Sequence, residues 1–137
     1  MLSRMTSSRQ HYRFLVEALR LIAARASVQR TSVEEDSLVT DEITAAFGMA
    51  YPCAELLAAE GILSREALCA LEPIHTWVWS DVDSDAYFPE SLSRHPYWEN
   101  GRRLAARALG VMGEKVRPPD PRAFLHVNVD FDELEKP

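Results

Sequence analysis

Three aspartates at alternate positions, Asp81, Asp83 and Asp85, sit inside the segment 77-WVWSDVDSDAYFPE-90. Carboxylates this close can ligate a hard cation, do acid–base work, or attract a basic partner. Their spacing copies the opening of a calcium-binding EF-hand loop. That loop needs Gly at its sixth position for a sharp turn and a bidentate Glu at its twelfth. Here those positions hold Ala86 and Leu92, so no calcium site is assigned. Mutual repulsion would raise the carboxyl pKa values unless water or cations keep the groups charged.

The remaining chemistry-bearing residues are scattered. His11, His75, His95 and His126 stand singly, and Cys53 and Cys69 have neither C-x-x-C spacing nor a nearby H-E-x-x-H pair. The glycines, at 48, 61, 101, 110 and 113, form no G-x-S-x-G elbow and no G-x-G-x-x-G fingerprint. The run 110-GVMGEK-115 lacks the interval of a phosphate loop, and no Ser or Thr follows Lys115 to hold magnesium. No catalytic residue, metal or cofactor is therefore assigned. A small hydrolase or metal-assisted enzyme using the loop carboxylates with His75 or His95 stands as an alternative.

Charge is strongly segregated along the 137 residues. Positions 31–101 carry fourteen carboxylates against Arg65 and Arg94, whereas the first thirty residues carry six arginines against Glu17 alone. The net charge of −6 argues against nucleic-acid or anionic-membrane binding, because phosphates would be repelled over most of the surface. Within the acidic block, Trp77, Trp79, Tyr87 and Phe88 interleave with Asp81, Asp83, Asp85 and Glu90. Those eight residues are the candidate partner-binding set. Acidic patches steer basic proteins, and Trp and Tyr supply much of the binding energy at interfaces.

The expected function is a non-catalytic protein that inhibits or sequesters a basic protein. The chain resembles in type the small acidic bacterial immunity proteins and antitoxins that plug a toxin's active site. That resemblance rests on size, helical character and one acidic block, and carries over no residues. A self-associating structural or regulatory helical protein is a further alternative, with a homodimer as its form. Two cysteines in apolar contexts favour a reducing cytoplasm over a disulfide framework. No apolar run approaches the roughly 18–20 residues of a membrane-spanning helix. The Arg- and Ser-rich start superficially fits a transit peptide, but two apolar stripes there favour the first helix of a bundle.

The elements that must position these groups read as mainly α: a compact bundle of about five helices with a C-terminal β-strand, paired internally or with a partner. Residues 1–8 read as a flexible arm, 9–117 as the helical domain and 118–137 as an extended segment. Tyr12, Leu15, Val16, Leu19, Ile22, Ala23 and Ala26 draw one helical face over 9–28, and Phe14, Ala18 and Leu21 a second, predicting burial on two sides. Ser32 and Glu35 have capping-box spacing ahead of a helix over 33–50, with Val39, Ile43, Ala46, Phe47 and Ala50 inward. Pro52 opens a third helix, carrying Cys53, Leu56 and Leu57 and ending at Gly61. Ser64 caps a fourth, with Leu68 and Leu71 inward. Gly61 between short helices hints at a helix-turn-helix, but 65-REALCALE-72 has the wrong charge for DNA. Residues 74–79 read as helix or strand, with helix preferred across Pro73. A loop follows over 80–96 with a turn at Pro89–Ser93. The last helix runs from Pro96 to Gly113, with Trp98, Ala105, Ala108, Leu109 and Met112 inward. Its arginines Arg102, Arg103 and Arg107 form a stripe expected to dock on the acidic middle, with Arg102 also near Glu99. Beyond it, Leu125, Val127, Val129 and Phe131 alternate with polar residues as in a half-buried strand.

Overall fold

The two apolar stripes of the first helix explain the architecture. In the computed structural model, which describes residues 2–32 and 39–123, α1 runs over Leu2–Ala23 and packs against both α3 (Val39–Ala50) and α6 (Pro96–Met112). Leu15, Leu19 and Ile22 are fully buried on one side, and Phe14, Ala18 and Leu21 are buried beside them. α5 (Arg65–Val78) closes the core against the other face of α6. α2 (Ala26–Thr31) and α4 (Ala54–Ala59) are short connectors. The chain is thus mainly helical, and no strand occurs among the described residues. The strand expected over 125–131 lies outside them.

Several boundaries differ from those the pattern predicts. α1 reaches back to Leu2, so positions 2–8 are helical rather than a loose arm, and buried Ser8 donates a 2.6 Å hydrogen bond to Glu60 Oε2. The continuous helix expected through residue 28 breaks after Ala23. Gln29, completely buried, turns back and donates its side-chain amide to the carbonyls of Leu21 and Ile22 at 3.0 Å. Those carbonyls are among the four that a helix end leaves without partners, so the amide acts as a cap. Residues 33–38, with Glu35 of the expected capping box, lie outside the described residues; Ser32 instead ends α2, its Oγ donating to Val28 O.

Local signals elsewhere are followed. Ser64 Oγ accepts from Ala67 N at the start of α5, and the helix continues through Pro73 to Val78, so 74–79 does not form a strand. The three-residue steps Leu71, Ile74 and Trp77 put all three side chains inward, and their burial outweighs the hydrogen bond lost at proline. Pro52 falls in a 3₁₀ turn, Tyr51–Cys53, just ahead of α4. On α4, Leu57 is buried but Leu56 is exposed; Leu68 and Met112 are half-buried. Pro96 opens α6, and Gly113 ends it at φ 75°, a left-handed conformation that glycine adopts without strain.

Candidate binding surface

The acidic–aromatic segment begins where α5 ends. Trp77 is the last inward residue, Trp79 points out, and Ser80 Oγ donates to Trp77 O at 2.7 Å. Two 3₁₀ turns follow, Ser84–Tyr87 and Pro89–Ser93. Ala86 and Leu92 from these turns are completely buried and plug the segment into the core. Bonds to backbone carbonyls then fix it. Trp98 Nε1 donates to Ala86 O at 2.7 Å, Thr40 Oγ1 to Tyr87 O at 2.6 Å, and Arg102 Nη1 to Leu92 O at 2.8 Å. Ser91 Oγ closes the loop on itself by donating to Asp85 O. α3 and α6 therefore hold the segment in one shape through groups that are themselves largely withdrawn from water. Burial lowers the pKa of the Arg102 guanidinium, and the nearby Glu99 charge opposes the shift.

Seven of the eight candidate residues keep at least part of their surface on this segment. Asp81, Asp83, Asp85 and Glu90 are exposed, as are Phe88 and Trp79, the latter with 74% of its surface accessible. Tyr87 is half-buried, its ring 6.1 Å from that of Tyr97. Trp77 does not join them. It stacks on Tyr97 at 4.6 Å, meets Trp98 edge-on at 5.6 Å, and donates Nε1 to Tyr97 O at 2.7 Å, so it is a core residue. None of Asp81, Asp83, Asp85 and Glu90 forms an ion pair among the described residues, where the ion pairs join Glu17, Glu114 and Asp120 to Arg13, Arg20 and Arg122.

The basic stripe of α6 does not neutralise this surface. Arg102 turns inward to Leu92 O and, at 3.4 Å, to Gln29 Oε1 rather than forming a salt bridge with Glu99. Arg103 donates to Asn100 Oδ1, and Arg107 is exposed. Two of the histidines are engaged elsewhere: His75 stacks on Tyr51 at 4.5 Å, and His95 Nδ1 accepts the Tyr97 N–H at the start of α6. Cys53 is half-buried, which pushes its thiol pKa up, and Cys69 is exposed. Among the described residues no three His, Cys, Asp or Glu side chains come together as a metal-binding group. None of the described helices is long and apolar enough to cross a membrane.

Two polar features escape sequence reasoning. Glu17 and Arg20 are buried together on α1 as an ion pair, 3% and 4% exposed. The chain after α6 lies over them: Arg20 Nε donates to Lys115 O at 3.0 Å and Glu17 Oε1 accepts the Asp120 N–H at 2.7 Å. Tyr12 donates to Glu114 at 2.8 Å; burial, then this bond and the Glu114 charge, push its pKa up to about 12. The only hint in the sequence is that Glu17 is the lone acid of an arginine-rich, apolar helix. The second feature is the Tyr97 hydroxyl, buried without a hydrogen-bond partner among the described residues. Burial raises its pKa, and the neighbouring Tyr87 hydroxyl, outside bonding geometry, adds to the shift.

Compared with known protein families, curated proteins and solved structures, the chain matches none.

Proposed function

We propose that the chain is a non-catalytic binding protein that captures a basic protein partner, in the manner of an immunity protein or antitoxin that covers a toxin's basic cleft. The observation that carries this reading is the state of Asp81, Asp83, Asp85 and Glu90. All four are exposed and form no ion pair among the described residues, on a segment whose backbone is tied down at Ala86, Tyr87 and Leu92. Carboxylates at alternate positions of one short segment add to a local negative potential that attracts an incoming cation. Trp79 and Phe88 flank them as exposed rings, suited to cover the aliphatic stems of Lys and Arg and to meet a guanidinium face-on. A pre-fixed backbone lowers the ordering entropy that binding would otherwise cost.

Such association is fast at low salt and slows as salt rises, because charge steers the encounter. Replacing Asp81, Asp83 and Asp85 together by Lys should abolish capture of the basic partner while leaving the helical content unchanged. Retained binding by that variant would remove the acidic segment from the interface.

A further inference from the structure

The segment after α6 is held to α1 in a way that points beyond a passive tail. Residues 114–120 run antiparallel to α1, from Glu114 and Lys115 beside Arg20 to Asp120 beside Arg13 and Glu17. Tyr12, Arg13, Glu17 and Arg20 occupy one face of the helix, and all four bond to this strap. Two of those bonds address backbone, Arg20 to the Lys115 carbonyl and Glu17 to the Asp120 amide, so the face recognises an extended chain as such. From the sequence and these contacts, we infer that this face of α1 is a docking groove for an extended segment with an acid at each end, filled in one chain by its own residues 114–120 and filled in exchange by the same residues of a second copy.

Three observations support exchange. The seam is polar and ionic, so on opening both Glu17 and Arg20 regain water, unlike an apolar face, and the opened state is accessible. The strap joins α6 through Gly113 at φ 75°, and a change at this one residue redirects everything that follows. Pro118, Pro119 and Pro121 keep the released strap extended, so little conformational freedom is lost when it docks again. Exchange of an identical element between copies closes a two-fold dimer without new contacts. Such a dimer would carry the acidic segment twice.

The test is independent of any partner. The full chain is unfolded in denaturant, refolded at low and at high concentration, and sized by light scattering. A species of twice the chain mass is expected at high concentration. In parallel, Arg13→Asp and Asp120→Arg chains are unfolded and refolded separately and mixed, and read by native mass spectrometry. Either variant alone places like charges across the seam, in one chain or between two. Only the mixed pair restores opposite charges in both grooves, so the heterodimer should exceed either homodimer by about fivefold beyond the two-to-one ratio of random pairing, the combined discrimination of two surface ion pairs. Arg13 is 62% exposed, and a single chain carrying both changes, checked by circular dichroism, verifies that the fold tolerates them. Monomers throughout would overturn the inference. So would dimers in statistical proportions, which would place association on another surface.

Discussion

Trp77 lies against Gly101 in the middle of α6, so closely that a Cβ on Gly101 would stand 2.2 Å from the indole. Glycine inside a helix ordinarily weakens it, yet here the missing side chain is the space that the ring fills. Gly101→Ala would gain about 1 kcal/mol of helix propensity. Against that, the ring is buried and held by its bond to Tyr97 O, so it has no free direction in which to move. Overpacking of this kind costs about 1–3 kcal/mol. We expect a lower urea midpoint for Gly101→Ala; an unchanged or raised midpoint would contradict the packing.

Thr40→Val removes the hydroxyl that donates to Tyr87 O while keeping the side chain's shape. The change should cost about 1–2 kcal/mol, since it leaves a carbonyl without its donor. Its signature is local: amide exchange over residues 84–93 should speed up, while the amides of α1 keep their protection. Uniform acceleration along the chain would mean that the bond holds the whole fold rather than the acidic segment.

Breaking the buried pair should be costly in either direction. Glu17→Leu or Arg20→Met leaves one charge buried alone, a loss of about 3–5 kcal/mol. The double replacement should cost less than the sum of the two, because it strands no charge. Both single variants should also be cut faster by trypsin after Lys115, as the strap loosens. Additive losses with unchanged cleavage would show the pair to be uncoupled from the strap.

Tyrosine ionisation offers a pH test. Tyr12, Tyr51 and Tyr97 are all held above the ordinary value of 10, chiefly by burial. A raised folded-state pKa means that the folded chain binds the proton more tightly than the unfolded chain. The resulting stability is fully present below pH 10 and falls as pH rises through the folded value, about 12 for Tyr12. Absorbance titration should therefore show delayed ionisation, and Tyr12→Phe should flatten part of the stability loss over that window. Ionisation of all tyrosines near pH 10 in the folded protein would contradict the geometry.

Much of the helical frame is legible because its signals are local. Ser64, Pro96 and Gly113 mark helix ends by their own backbone chemistry, and the stripes of α1 announce its central place. What stays hidden depends on residues distant in sequence. The Gln29 amide that ends α1 is an apolar-core event no propensity records. The strap bonds join residues up to 107 positions apart, and nothing in the spacing of Glu17 or Arg20 names those partners. Trp77 reads as a surface aromatic by its place beside Trp79 and the aspartates, even with helix preferred across Pro73; the three-residue steps from Leu71 through Ile74 along α5 turn it inward. Of the candidate site, the exposed carboxylates with Trp79 and Phe88 follow from sequence, but the carbonyl bonds that fix them do not.

Capture of a basic partner by the acidic segment is tested by affinity capture with the wild-type chain and with the Asp81→Lys, Asp83→Lys, Asp85→Lys variant, compared in parallel across a salt series. One basic protein is expected to be held by the wild type at low salt, released as salt rises, and absent from the variant. Equal capture by both chains, or capture indifferent to salt, would contradict that expectation.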